Sequence, residues 1–166
     1  MSTRSPSADL TIVRLDPAAY ANACAEMMSS SEPWLTLGRT REKALELLTR
    51  RDRESYVALR DGRLAGFIVL CMQGAFVGYI QTVCVPADSR GEGIGSRLIE
   101  FAEKRIFRET PNVFMCVSSF NTEAKRLYLR LGYQIVGELR DYIIDGHSEI
   151  LLRKTIGPLA RAPARG

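Results

Sequence analysis

The most informative part of the chain is Ser89-Arg90-Gly91-Glu92-Gly93-Ile94-Gly95-Ser96, a turn that is dense in glycine. It follows the apolar segment 77–85, which ends at Pro86, and it opens a segment with strong helical periodicity. Glycine lets a backbone approach a ligand closely, and the N–H groups in the first turn of a helix have no partners within the helix. A strand, a glycine turn and a helix in this order predict a binding site for a phosphate-bearing ligand.

Two common phosphate-binding motifs do not fit this turn. A P-loop requires a lysine and then Ser or Thr after its second glycine, whereas Ser96 and Arg97 follow Gly95 here. A dinucleotide-binding turn requires G-x-G-x-x-G and an acidic residue at the end of the next strand. Here the last glycine comes one residue early, and the next predicted strand ends in Val117-Ser118-Ser119. A turn that only joins a strand to a helix remains as the purely structural alternative.

Length and composition are those of one folded domain. The chain has 166 residues, of which 46% are hydrophobic and 25% charged, which is ordinary for a globular protein large enough to bury a core. We expect a single domain over 10–156, a disordered N-terminal tail over 1–9 and a flexible C-terminal tail over 157–166. No apolar run approaches the length of a membrane span, and 1–9 lack the apolar core of a secretory signal.

Charge and cysteine content narrow the function further. A net charge of +4 suits an anionic ligand but is too small and too dispersed to indicate nucleic-acid binding. The cysteines Cys24, Cys71, Cys84 and Cys116 show no metal-ligand spacing. Three of them lie in apolar, strand-like segments, which is typical of buried, reduced thiols. We therefore expect a cytoplasmic protein without a metal, a nucleic-acid partner or a membrane partner.

Hydrophobic patterning predicts an α+β fold. The predicted strands cover 10–15, 55–60, 64–72, 75–85, 113–117, 133–140 and 148–154. Two early helices are predicted at about 17–28, with Asp16 as N-cap, and at 41–51. A third begins at Ile94 and is closed by Pro111, and a fourth is capped by Asn121 and ends at Gly132. This order favours a mixed sheet over a strict βαβ array.

A second motif follows the glycine turn: Asn121-x-x-Ala124-x-x-Leu127-Tyr128-x-x-x-Gly132-Tyr133. Together with Arg90-x-x-Gly93-x-Gly95, it resembles the signature of the GCN5-related N-acetyltransferase (GNAT) superfamily. The order of elements from Leu10 to Lys154 also fits, so the resemblance covers nearly the whole chain. It implies a mixed, mostly antiparallel central sheet of about seven strands flanked by about four helices. It also implies acetyl-CoA as cofactor and acetyl transfer to an amine.

The resemblance assigns a group of residues to coenzyme A: Val83, Cys84, Val85, Arg90, Gly91, Glu92, Gly93, Ile94, Gly95, Ser96, Asn121 and Tyr128. The amides of 91–96 would hold the pyrophosphate with help from the helix dipole. In the family the strand before this loop separates from its neighbour, so the backbone of 83–85 would face the pantetheine arm. Arg90 and Arg97 would add charge near the phosphates or be simply solvated. Asn121 would contact the arm, serve as a plain N-cap, or do both.

Catalytic roles also follow from the resemblance. The backbone N–H of Val83 is the implied oxyanion donor, and Tyr128 is the implied proton donor to the departing thiolate, with a core aromatic as its alternative. Histone-type members of the family carry a glutamate base at the position of Tyr79, and members that acetylate the N-terminus of ribosomal proteins carry one at the position of Cys116. Both carboxylates are missing here. A water relay or a residue from another segment would then act as base. The other polar candidates are Glu32, Gln81, Asp141, Tyr142, His147 and Glu149.

Five residues are weaker candidates for binding the acceptor: Glu32, Trp34, Tyr79, Gln81 and Tyr142. Trp34 could receive a cationic amine by cation–π contact or pack in the core. The expected acceptor is a primary amine on a small molecule or a peptide, with a protein lysine or N-terminus as a further option. Because the carboxylates are missing, a non-catalytic acyl-CoA-binding sensor is the alternative function. The likeness also suggests a homodimer.

Overall fold

A computed structural model describes residues 9–160. The strands are β1 (Leu10–Arg14), β2 (Glu54–Arg60), β3 (Arg63–Cys71), β4 (Tyr79–Cys84), β5 (Asn112–Ser118), β6 (Gln134–Leu139) and β7 (Glu149–Thr155). They form one sheet in the order β1-β2-β3-β4-β5-β7-β6. Every neighbouring pair is antiparallel except β4 and β5, which are parallel.

Four α-helices accompany the sheet within the described residues. They are α1 (Asn22–Ser29), α2 (Arg41–Leu48), α3 (Ile94–Ile106) and α4 (Thr122–Arg130). A π-helical turn, Pro17–Ala21, leads into α1, and Asp16 caps it by accepting a hydrogen bond from the N–H of Ala18 at 3.1 Å. The predicted α+β class, with a mostly antiparallel sheet of seven strands and four helices, is confirmed.

Helices cover both faces of the sheet, which explains the sequence of the inner strand β3. All residues from 65 to 70 of β3 are buried. Phe67 and Val69 pack with α1 and α2 on one face, whereas Ile68 and Leu70 pack with α3 on the other. An unbroken apolar run is typical of a strand that is covered on both faces. The glycine turn thus connects the middle of the sheet to a firmly packed helix.

The sheet opens between β4 and β5. Tyr79 pairs with Phe114 and Ile80 with Met115, and beyond these pairs the strands continue to Cys84 and Ser118 without pairing to each other. Strand edges that separate leave backbone N–H and C=O groups without a ladder partner. A gap therefore lies between 81–84 of β4 and 116–118 of β5.

The predicted strand over 75–85 is wrong for 75–78, because β4 begins only at Tyr79. Gly78 has a φ of +85°, a left-handed conformation that strands do not adopt. A Cβ on Gly78 would lie 2.5 Å from Cγ2 of Ile106 and 2.6 Å from the carbonyl oxygen of Asn112. Close packing against the end of α3 and the start of β5 thus imposes the turn. The second early helix is also shorter than predicted, since α2 ends at Leu48.

The predicted tails fall mainly on 1–8 and 161–166, which lie outside the described residues. Within 9–160, no helix has the length and apolar character needed to cross a membrane.

Candidate active site

The glycine turn leaves an open backbone surface at the start of α3. Gly91 and Gly93 have φ values of +78° and +81°, where glycine is unstrained. A Cβ on either residue would meet no atom within 4 Å. Gly93 is the N-cap of α3 without a side-chain cap, so the first amides of this helix keep free donors. Free amides at a helix N-terminus with open space before them are a site for an anion.

A cleft of about 340 Å³ runs past this turn. Its walls come from the end of β4, the turn, α3, α4 and the loop after α1. Most residues that the sequence assigns to coenzyme A line it, namely Val83, Val85, Arg90, Gly91, Gly93, Ile94, Gly95, Ser96, Asn121 and Tyr128. Cys84 and Glu92 do not line it.

The side chains of Cys84 and Glu92 are engaged elsewhere. Cys84 is fully buried in the core beside α1 and α2, and burial raises the pKa of its thiol to about 12. The carboxylate of Glu92 forms an ion pair with Arg60. Any contact of these two residues with a ligand in the cleft would therefore involve their backbone.

Arg90 of the turn and Arg97 of α3 both donate hydrogen bonds to backbone carbonyl groups. The guanidinium of Arg90 donates to the carbonyl oxygens of Val85 and Glu32, each at 3.1 Å, and so ties the turn to the loop after α1. Arg97 donates to the carbonyl oxygen of Leu10 at 3.0 Å, which directs it to β1. Of the two, only Arg90 lines the cleft.

A second, smaller cavity of about 130 Å³ lies beside the gap in the sheet. Its polar lining consists of Arg39, Tyr79, Gln81, Thr82, Cys116, Ser118, Asn121, Tyr128, Tyr142 and Glu149. Trp34, Tyr79, Gln81 and Tyr142, all predicted at the acceptor side, line this cavity. Glu32, the fifth residue of that group, instead lines the cleft, and its carboxylate accepts a hydrogen bond from the N–H of Thr36 at 3.2 Å.

The cleft and the cavity meet. Both are lined by Pro33, Trp34, Val83, Asn121 and Tyr128. A ligand that extends along the cleft to Val83 and a second ligand in the cavity would therefore touch at these residues. This junction is the part of the molecule where two bound compounds could react.

Tyr128 reaches the junction because of the way α4 begins. Oδ1 of Asn121 accepts a hydrogen bond from the N–H of Ala124 at 3.3 Å, and this cap fixes the first turn of the helix. Tyr128 follows on the inner side of α4, with its ring packed edge-on against Tyr133 at a centroid distance of 6.3 Å. Burial raises the pKa of the Tyr128 phenol to about 12, so this hydroxyl carries its proton at neutral pH.

Tyr79 and Cys116, on neighbouring strands, interact with each other in the cavity. Burial, with Cys116 as a further cause, raises the pKa of Tyr79. Burial also raises the pKa of the Cys116 thiol. Both groups are therefore neutral at ordinary pH, and neither supplies the base that a carboxylate at its position would provide.

One carboxylate does lie in the cavity. Glu149 is 4% exposed, and its Oε1 accepts a hydrogen bond from Oγ of Ser118 at 2.6 Å. The sequence marks Glu149 as polar but gives it no role, because the pairing of Ser118 with Glu149 across β5 and β7 cannot be read from one strand alone. His147, another titratable candidate in this hairpin, packs against Phe120 with the ring centroids 4.9 Å apart and lines neither space.

Within residues 9–160, no group of three or more His, Cys, Asp or Glu side chains could hold a metal ion.

A comparison with protein families identifies this arrangement. The model of the acetyltransferase (GNAT) family matches residues 20–133, a segment that includes the glycine turn, the gap and α4. The chain belongs to this acetyltransferase family. The fold predicted from the resemblance agrees with that membership, as do the two motifs that carry the resemblance.

The chain is also similar in sequence or in fold to individual acetyltransferases. This GNAT protein is 35% identical over 114 residues to an uncharacterized N-acetyltransferase of Methanocaldococcus jannaschii, covering 65% of this chain and 69% of the relative. It is 31% identical over 100 residues to the blasticidin-S acetyltransferase of Streptomyces morookaense, covering 60% and 73%. The crystal structure of an aminoglycoside 6'-N-acetyltransferase complexed with coenzyme A shares the fold, with a TM-score of 0.70, 20% identity and coverage of 91% and 99%.

Proposed function

We propose that this protein transfers the acetyl group of acetyl-CoA to a primary amine by direct transfer in a ternary complex. The observation that carries the proposal is that the cleft and the cavity meet at Val83, Asn121 and Tyr128. Direct transfer requires both compounds to be bound at once with the reacting atoms adjacent. Two connected spaces, one beside an anion site and one with a polar lining, meet that requirement.

The cleft has the features that coenzyme A requires. The amides of 91–96 and the dipole of α3 suit the pyrophosphate, and the open space before Gly91 and Gly93 leaves room for it. The edge of β4 that faces the gap offers backbone groups at Val83 and Val85 to the amides of the pantetheine arm. When bound, acetyl-CoA supplies an acetyl group that is activated as a thioester.

Two groups of the chain then act on the reaction. The backbone N–H of Val83 donates a hydrogen bond to the carbonyl oxygen of the thioester, which becomes negatively charged when the amine attacks. This hydrogen bond lowers the barrier to the attack. The hydroxyl of Tyr128, which is protonated at neutral pH, gives its proton to the departing thiolate. Both groups lie at the junction of the two spaces.

The acceptor that fits best is an amine on a small molecule or a short peptide. Tyr142 and Ile143, from the hairpin between β6 and β7, line the cavity, so this hairpin narrows the path that an extended protein chain would need. A cavity of about 130 Å³ admits an amine-bearing arm, and Trp34 and Tyr142 supply aromatic faces for a cationic amine. We place the enzyme in the cytoplasm, since all four of its cysteines are free thiols.

The test is a thiol-release assay with acetyl-CoA and a panel of amines, with mass spectrometry of the products. Because relatives are named for blasticidin S and aminoglycosides, the panel includes both, together with polyamines, amino acids and peptides with a free N-terminus. We expect turnover and an N-acetylated product with one class. Binding of acetyl-CoA without product from any amine would contradict the proposal and favour an acyl-CoA sensor.

A further inference from the structure

The buried carboxylate of Glu149 is only half engaged by the protein. Its Oε1 accepts the hydrogen bond from Ser118, and the residue lines the acceptor cavity. Among the described residues, no lysine or arginine forms an ion pair with Glu149. Burial raises the pKa of Glu149 overall, against the opposite effect of the Ser118 hydrogen bond. A buried carboxylate without a counter-ion is costly, so a cationic ligand in the cavity would stabilise it.

The titratable and charged groups that share the cavity with Glu149 lie on β4, on β5, in the hairpin between β6 and β7 and in the loop between α1 and α2. Tyr79 lies on β4 and Cys116 on β5, and the pKa of each is raised by burial with a further contribution from the Glu149 charge. Tyr142 of the hairpin lines the same cavity, as does Arg39 of the loop between α1 and α2. No ion pair joins Arg39 to Glu149. Within residues 9–160, Glu149 is the one carboxylate that lines this cavity.

We propose that Glu149 binds the ammonium group of the acceptor and takes its first proton. This inference rests on the proposed acetyl transfer and names the base that it needs. The N–H bond of the ammonium breaks and an O–H bond forms on Glu149, which leaves a neutral amine with a free electron pair beside the junction. Burial raises the pKa of Glu149. This shift brings the pKa of the carboxyl group closer to the pKa of an effective general base at neutral pH.

Glu149, Tyr128 and solvent together account for every proton that the reaction moves. The nitrogen loses two protons in forming the amide: the first to Glu149 and the second to Tyr128, which has given its own proton to the thiolate. Glu149 then releases its proton to solvent. One proton in total leaves the enzyme for each acetyl group transferred, and no oxidant or reductant is involved.

The first test replaces the carboxylate with its uncharged isostere. Glu149→Gln keeps an oxygen that can accept the Ser118 hydrogen bond, so the fold is retained, which circular dichroism checks. We expect kcat/KM for the amine to fall by about 100-fold, with unchanged affinity for acetyl-CoA and loss of the acid limb of the pH profile. The control is Glu138→Gln, since Glu138 lies half-exposed on β6, and it should behave as wild type.

A second variant probes the carboxylate while leaving it in place. The Ser118 hydrogen bond lowers the pKa of Glu149 against the effect of burial, so Ser118→Ala should raise that pKa. Because the unprotonated carboxylate is the active form, the acid limb of the rate profile should move to higher pH. An acid limb that stays at the wild-type pH in Ser118→Ala would overturn the proposal. A wild-type kcat/KM and pH profile in Glu149→Gln would overturn it as well.

A binding measurement separates this proposal from the proposed function. Butylammonium is titrated into protein labelled with ¹³C at the glutamate carboxyl carbons, and the Glu149 signal is assigned by its loss in Glu149→Gln. We expect that signal to shift and the Glu138 signal to stay unchanged. An unmoved Glu149 signal would overturn the proposal. If wild type releases no thiol with any amine, the proposed function fails, and this titration still decides whether Glu149 binds an ammonium.

Discussion

Tyr128 is the side chain to which we assign the largest share of the proposed chemistry. The phenol lies at the junction of the two spaces and burial raises its pKa to about 12. We expect Tyr128→Phe to lower kcat by about 100-fold while the Kd for acetyl-CoA stays unchanged, because the ring still packs against Tyr133. Tyr20→Phe, in the turn before α1, is the matched control. Wild-type kcat in Tyr128→Phe would show that another group protonates the thiolate.

Gly78 is a residue on which the fold depends. Alanine there would bring a Cβ to 2.6 Å from the carbonyl oxygen of Asn112 at a φ of +85°. Gly62 has a similar φ of +76° but open space around it, so Gly62→Ala carries only the backbone strain of about 1 kcal/mol. We expect Gly78→Ala to lower the free energy of unfolding by about 2–4 kcal/mol in urea titrations. An equal decrease in the free energy of unfolding of Gly78→Ala and Gly62→Ala would rule out a steric clash of the new Cβ at position 78.

At the scale of elements, α3 is fastened to β2 by the fork between Arg105 and Glu54. The guanidinium donates to the two carboxylate oxygens at 2.8 and 2.6 Å. Burial would raise the pKa of Glu54, but hydrogen bonds from Arg105 and Tyr56 lower it overall. A lowered folded pKa means that the ion pair stabilises the protein above the unfolded value of about 4.3, and that this contribution is lost as the pH falls through the folded value.

Glu54→Gln should therefore lower the free energy of unfolding by about 1–3 kcal/mol at pH 7. The difference from wild type should shrink as the pH falls below about 4, which denaturant titrations over a pH series measure. Glu109→Gln is the control, because Glu109 pairs with Arg105 while half-exposed, and such a pair contributes under about 1 kcal/mol. A decrease in the free energy of unfolding of Glu54→Gln that is the same at every pH would show that the ion pair with Arg105 is not its cause.

The elements also show what the sequence reveals and what it does not. Periodicity predicted α3 and α4, and the apolar run of β3 predicted a strand, because burial leaves its pattern in the order of residues. The start of β4 was missed, since Gly78 is held by contacts with Ile106 and Asn112, which are remote in sequence. The place of Glu149 beside Ser118 follows from the register of β5 and β7, and no local pattern records that register.

For the whole molecule, the outer edge of the sheet is the surface through which we expect two copies to pair. β6 is an edge strand, and its Ile135 and Val136 are 51% and 55% exposed. An edge strand is self-complementary when two copies pair antiparallel about a two-fold axis. We expect a dimer in analytical ultracentrifugation and a monomer for Val136→Lys, which places a charge on that edge. A wild-type monomer at micromolar concentration would contradict this expectation.

The cleft along the glycine turn is the site that we propose for acetyl-CoA, beside the acceptor cavity. Isothermal titration of acetyl-CoA into the protein measures binding at this site, with Gly93→Ala as the probe and Gly62→Ala as the control. Gly93 faces the open space before α3 at a φ of +81°, so a methyl group there should weaken binding by about 10-fold or more. We expect one acetyl-CoA bound per chain, with weaker binding in Gly93→Ala and wild-type affinity in Gly62→Ala. No binding to wild type, or equal affinity in all three proteins, would contradict it.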